Sequence, residues 1–202
     1  MGIRENVKVI GLTGMSGAGK STACSVFRAA GFDIIDCDLI CREIVEKGKP
    51  CLNEIAASFG VTVLTEDGEL NRPEMAKAIF ENSDKRLLLN GIMYPYVSYI
   101  VIKRILETKN SFAVLDAPTL FESGIDDICD HVVSVIANKE TLVSRIMSRD
   151  EISREAAENR LKSQQTPKFY RERSDYVIEN DGSSLDLMNL TEKTINAIKE
   201  GK

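Results

Sequence analysis

The run Gly14-Met15-Ser16-Gly17-Ala18-Gly19-Lys20-Ser21 narrows the possible folds of this chain more than any other segment. It sets glycine, glycine, lysine and a hydroxyl at the offsets of a phosphate-binding loop. Such a motif carries weight only between a strand and a helix, and both flanks fit. Residues 7–13 are mostly apolar, as suits a strand buried on both faces. Residues 20–30 read as an unbroken helix ended by Gly31. Glycines let successive N–H groups converge on phosphate oxygens, and the helix start adds its own unsatisfied N–H groups and positive dipole end. Gly14, Gly17, Ala18, Gly19, Lys20, Ser21 and Thr22 are therefore the expected ATP-binding segment. Lys20 supplies charge to the β- and γ-phosphates, and Ser21 offers one oxygen to Mg²⁺. The competing reading, a chance glycine-rich turn, leaves both flanks unexplained.

Beyond the loop, apolar runs alternate with helix-length periodic segments, the pattern of an α/β, doubly wound parallel sheet. Five strands are expected, at residues 7–13, 32–36, 112–116, 131–136 and 175–178. The interval between the second and third strands is far longer than one crossover needs. It carries helical patterns at 39–47, 51–59, 73–81, 83–91 and 94–108, which predicts a helical insertion able to wall a second substrate. A charged helical stretch spans 139–165 and a last helix 183–199. The expected organisation is a nucleotide-binding core at 1–38, 110–138 and 170–202, an acceptor-binding insertion at 39–109, and a lid at 139–169.

Composition removes several function classes. A formal net charge of -5 argues against a nucleic-acid partner, which calls for a broad basic face. No apolar run approaches the ~20 residues that span a bilayer, so no membrane partner is expected. Residues 1–8 lack the apolar stretch of a secretory signal. Cys24, Cys37, Cys41, Cys51 and Cys129 form no CxxC pair, and the single histidine, His131, opens an apolar run. Reduced, structural thiols and a cytoplasmic setting are expected.

Phosphoryl transfer needs positioning, charge neutralisation and a base for the attacking hydroxyl. Asp36 and Asp38 leave the second strand at the sheet's carboxyl edge, where ligands of open α/β sheets bind. Either one caps the next helix or serves as that base, and the reading taken is Asp38 as base with Asp36 as cap or metal support. Asp116 ends the third strand where a carboxylate can hold Mg²⁺ beside Ser21, or begin the turn at Pro118; Glu122 follows closely. Arginines are dense here, at Arg145, Arg149, Arg154 and Arg160, and Arg145, Arg149 and Arg160 are either phosphate-binding groups of a closing element or a solvated helix face.

Several segments together resemble the dephospho-coenzyme A kinase family. These are Ile10-Gly11-Leu12-Thr13-Gly14 running into Gly17-Ala18-Gly19-Lys20-Ser21-Thr22, Ile35-Asp36-Cys37-Asp38 followed by Arg42, and Leu70-Asn71-Arg72. The most distinctive is Leu115-Asp116-Ala117-Pro118-Thr119-Leu120-Phe121-Glu122-Ser123-Gly124. Residues 145–164 and Asp175-Tyr176-Val177-Ile178-Glu179-Asn180 complete a match running in order over nearly the whole chain. The resemblance implies transfer of the ATP γ-phosphate to the ribose 3′-hydroxyl of dephospho-CoA. It implies Asp38 as base, Lys20 and Arg149 as the other catalytic groups, and Arg72 and Arg149 on phosphates. Arg149 and Arg160 belong to the lid, Asn180 lies near the adenine, and Asp38, Arg72, Tyr94 and Asp116 face the acceptor. The chain departs from the family pattern at Tyr94-Pro95, where His-Pro is usual, at Gln164-Gln165 and at Met15-Ser16. A kinase for a nucleoside monophosphate or another small alcohol fits the fold and loop equally well. A nucleotide-dependent switch would leave the large insertion unexplained, and the chain lacks an Asn/Thr-Lys-x-Asp signature.

Overall fold

The computed structural model describes residues 7–80 and 82–201; residues 1–6, Glu81 and Lys202 lie outside the described residues. With them go most of the opening stretch read against a secretory signal and the far end of the helix expected over 73–81. Five strands, β1 (Lys8–Gly14), β2 (Asp33–Asp36), β3 (Phe112–Asp116), β4 (His131–Ile136) and β5 (Tyr176–Glu179), form one sheet in the order β2-β3-β1-β4-β5. β1 runs parallel to β3, with Leu12 opposite Asp116, and parallel to β4, with Gly14 opposite Val135. β4 and β5 are parallel as well.

The helices in chain order are α1 (Lys20–Ala29), α2 (Cys37–Glu43), α3 (Pro50–Phe59), α4 (Arg72–Phe80) and α5 (Ser83–Glu107), then α6 (Leu120–Ser123), α7 (Lys139–Asp150), α8 (Arg154–Lys162), α9 (Pro167–Arg173) and α10 (Ser184–Glu200). The chain divides into two compact units, Met1–Ile35 with Glu107–Lys202, and Asp36–Leu106.

In the first unit the sheet is the core. Val9, Ile10, Leu12 and Thr13 of β1 are all buried, as a central strand of a two-sided sheet must be. Burying the Thr13 hydroxyl is compensated, because it donates to the Pro118 carbonyl at 3.2 Å. Ile10, Phe27, Val114, Val133, Val135 and Ile195 belong to one apolar cluster. Phe32 meets Phe27 edge-on at 5.2 Å and Phe112 at 4.8 Å between ring centroids. The β1–α1 and β3–α6 connections leave neighbouring carboxyl ends for different parts of the sheet, which creates the crevice that α/β folds use for ligands.

The 139–165 stretch is not one helical run. α7 stops at Glu151, whose φ of 53° is left-handed and cannot continue a helix. The Ser153 hydroxyl then caps α8, and Thr166, followed by Pro167, caps α9, a helix the periodicity does not announce. In the second unit the helices expected over 83–91 and 94–108 are the single 25-residue α5, with Pro95 inside it. A proline has no N–H for the carbonyl four residues back, here Gly91, yet the helix continues on both sides of it. α2 starts two residues before its expected position because the Asp36 carboxylate accepts from the Leu39 N–H at 2.9 Å.

Candidate active site

The loop after β1 is held open by specific contacts. Gly14 has φ 149°, and a Cβ there would sit 2.2 Å from the Val135 carbonyl oxygen, so only glycine lets β1 run this close to β4. Met15 N–H donates to that carbonyl at 3.1 Å, and Ala18 N–H turns inward to Met15 at 3.0 Å. Ser16 N–H donates to the Gln164 side-chain oxygen at 2.8 Å. Gly19, with φ 103°, is the N-cap of α1. No hydrogen bond among the described residues takes up the N–H groups of Gly17, Gly19, Lys20 or Ser21. Four donors therefore remain on the loop and the first turn of α1, where an anion is favoured.

Lys20 Nζ donates to Asp116 Oδ1, joining the loop to the carboxyl end of β3. Thr22 N–H is used within α1's first turn, donating to Gly19 at 3.0 Å, and Ser21 is exposed beside it. Cys24, one turn beyond Lys20, is packed against Asp116. Burial first, then the Asp116 charge and its hydrogen bond, push the thiol up to about 11. Glu122 is exposed on α6, and its charge adds to burial in raising Tyr170 to about 12.

The four arginines have separate fates. Arg145 donates to the carbonyls of Asn180 and Gly182, both at 2.9 Å. Arg149 grips Asp150 with two donors at 2.8 and 2.9 Å and reaches the Ser16 hydroxyl of the loop at 3.3 Å. Arg160 pairs with the same Asp150. Arg154 pairs with Glu140 and Glu158 on the surface, which is the solvated-face reading. Asn180 is buried behind the loop, its Nδ2 donating to the Ala18 carbonyl at 2.7 Å.

The remaining site residues belong to the second unit. Asp38 is exposed in the first turn of α2 and lines a cavity of about 430 Å³. Arg42 and Arg72 line it too, with Val45, Met75 and Leu89 supplying apolar wall. Cys41, also on this wall, has its thiol raised by burial and then by the charges of Asp38 and Asp36. Tyr94 is half-buried on α5 and is not among the lining residues of that cavity; its neighbour Met93 is.

Residues 8–186 match the sequence profile of the dephospho-CoA kinase family. The chain belongs to the dephospho-CoA kinase family. A dephospho-CoA kinase from Bacillus cereus is 41% identical over 181 residues, covering 88% of this chain and 90% of the relative. One from Arabidopsis thaliana is 36% identical over 196 residues, covering 96% and 84%. The solved dephospho-CoA kinase of Campylobacter jejuni superposes with a TM-score of 0.71 at 27% identity, covering 96% of this chain and 98% of that one. Dephospho-CoA kinases are ATP-dependent, so the chain is a phosphotransferase with a nucleotide-binding α/β fold.

Four contacts around the loop had no sequence signal: Gln164 on Ser16, Asn180 on Ala18, Asp150 between two arginines, and Arg145 on two carbonyls. Cys24 did have one, since the i, i+4 spacing from Lys20 puts both on one face of α1.

Proposed function

We propose that this chain transfers the γ-phosphate of ATP to the ribose 3′-hydroxyl of dephospho-CoA, the last step of CoA synthesis. The observation that carries the reading is the family match over residues 8–186. On this reading the N–H groups of Gly17, Gly19, Lys20 and Ser21 hold the triphosphate, with Gly14 and Ala18 shaping the loop and Thr22 in the first turn of α1. Lys20 exchanges its carboxylate partner for the β- and γ-phosphates as ATP binds, leaving Asp116 to face the metal and the acceptor. Arg149, already at the loop through Ser16, moves its charge onto the transferring group from the lid at 139–169. Asp38 accepts the proton of the 3′-hydroxyl, and Arg72 neutralises acceptor phosphate in the cavity of the insertion at 39–109. Tyr94 offers a hydroxyl where the family pattern has histidine.

The donor set suits Mg²⁺. Ser21 and Asp116 provide hard oxygens, and Mg²⁺ takes few protein ligands beside phosphate and water. Bound there, the ion neutralises charge on the β- and γ-phosphates. A cytoplasmic setting, read from the cysteine spacing, and the lack of a nucleic-acid partner, read from the net charge of -5, belong to the same proposal. No helix of the described residues is long and apolar enough to cross a membrane.

The test is a side-by-side assay of dephospho-CoA and a panel of nucleoside monophosphates with ATP and Mg²⁺. CoA formation at a kcat/KM far above every other acceptor is expected. A nucleoside monophosphate used as well as dephospho-CoA would replace this reading with that of a nucleotide kinase.

A further inference from the structure

Asn180 is 4% exposed, at the end of β5. Its backbone is fixed on both sides. The N–H donates to Ile136 O at 2.8 Å, extending the sheet by one residue, and the carbonyl accepts from Arg145. Its side chain therefore has a set direction, and Nδ2 points into the back of the phosphate loop at the Ala18 carbonyl, 2.7 Å away. The amide cannot be turned over, since Oδ1 would then face a carbonyl oxygen. In this orientation Oδ1 is buried without a hydrogen-bond partner among the described residues. A buried unsatisfied acceptor is costly, so its retention points to a function for the donor on the other side of the group.

Peptide planarity supplies that function. In the trans Ala18–Gly19 peptide the carbonyl and the N–H point in opposite directions. Drawing the Ala18 oxygen back toward β5 therefore turns the Gly19 N–H outward, among the four donors left open on the loop. Gly19 is built to match: a Cβ there would stand 2.8 Å from Asn180 Nδ2 and 2.6 Å from Leu187 Cδ2. The side chain that pulls the peptide back fits only against glycine.

We propose that Asn180 is a positioning residue of the phosphate loop, holding the Ala18–Gly19 peptide so that the Gly19 N–H faces the nucleotide phosphates. This rests on the reading of the loop as the ATP site. It moves the main role of Asn180 from the adenine to the phosphates, which the side chain reaches through the backbone of another segment. Arg145, which grips the Asn180 and Gly182 carbonyls, is then a brace for the same peptide.

The test separates the two ends of ATP. Tripolyphosphate and adenosine are used as competitive inhibitors of the wild-type enzyme and of Asn180→Asp and Asn180→Ser, with kcat and KM for ATP measured in parallel. Asn180→Asp keeps the shape and removes the donor, while Asn180→Ser keeps a shorter donor. The expected result for Asn180→Asp is a Ki for tripolyphosphate raised ~10-fold or more and kcat lowered roughly 10- to 100-fold, in line with misplaced electrostatic groups. Adenosine inhibition stays within twofold, and Asn180→Ser recovers part of the loss. Weakened adenosine binding with unchanged tripolyphosphate binding would overturn the inference in favour of an adenine contact. Should both variants fail to fold, the wild-type chain still decides. With tripolyphosphate bound, the Asn180 side-chain amide protons are expected to be protected from hydrogen exchange; exchange at the solvent rate would overturn the proposal. A wild-type enzyme that binds adenosine but no tripolyphosphate would remove the reading of the loop itself.

Discussion

Lys20 and Asp116 meet in an ion pair that joins the phosphate loop to the carboxyl end of β3. Their side chains are 18% and 16% exposed, so water screens the pair only in part. Leu12 and Asp116 stand opposite one another in the β1–β3 register, which brings the carboxylate level with the start of the loop. The pair keeps the lysine near the position that phosphate charge is expected to occupy.

Removing either member should be costly and the two losses should overlap. Lys20→Met is expected to lower kcat by ~10²- to 10³-fold, the range for loss of one preorganised electrostatic group. Asp116→Asn should cost activity as well, and the double variant should be little worse than the poorer single one, since groups acting as a unit are not additive. Steady-state kinetics on the four enzymes gives the coupling directly. Strict additivity would show that the two act independently.

Asp38→Asn keeps the size of the side chain and removes a proton acceptor. A fall in kcat of ~10²- to 10⁴-fold is expected, the usual contribution of a general base. ADP affinity, measured by calorimetry, should stay within about twofold, because Asp38 lies outside the phosphate loop. An Asp38→Asn enzyme with near-normal turnover would take the base assignment away.

Asp150 sets a pH dependence at its two arginine partners, Arg149 and Arg160. Hydrogen bonding from Arg149, with the charges of Arg149 and Arg160, lowers its carboxyl from an ordinary 3.8 to about 2. A folded-state value below the unfolded one means that the contribution to stability is complete above about pH 4. It is lost as pH falls through about 2. The difference in Tm between wild type and Asp150→Asn should therefore be constant from pH 7 down to about 4 and shrink below that. A difference that grows on acidification would contradict the sign.

The thiols should be slow to react in the folded chain. Cys24 and Cys51 are buried, and each is raised to about 11, by burial and then by nearby acidic groups. At pH 8 a thiol of that kind is about one part in a thousand thiolate, the nucleophilic form. Iodoacetamide labelling read by mass spectrometry should find Cys24 and Cys51 unmodified until denaturant is added. Rapid labelling of Cys24 under native conditions would mean that α1 opens at its first turns.

The loop and β3 were legible because their signals are local. Gly14, Gly19, Lys20 and Ser21 form one short segment, and the strand expected over 112–116 coincides with β3. Boundaries slipped where a tertiary or capping contact overrode the pattern. Asp36 capping starts α2 early, and the left-handed Glu151 cuts the charged stretch into α7 and α8. The helices expected over 83–91 and 94–108 run together as α5, which passes through residues 92–93 and carries Pro95 inside it. Least visible were contacts between distant segments. Gln164 reaches Ser16 across 148 residues and Asn180 reaches Ala18 across 162, and no periodicity encodes either meeting.

The most direct measurement is a phosphorus NMR time course of the purified chain with ATP, Mg²⁺ and dephospho-CoA, run beside the 3′-deoxy analogue of the acceptor. Loss of the ATP γ-phosphate signal should be matched by a new phosphomonoester on the ribose 3′-oxygen of dephospho-CoA, with nothing transferred to the 3′-deoxy analogue. A phosphomonoester that forms equally on the 3′-deoxy compound, or ATP that is consumed without transfer to dephospho-CoA, would contradict the reaction assigned to this chain.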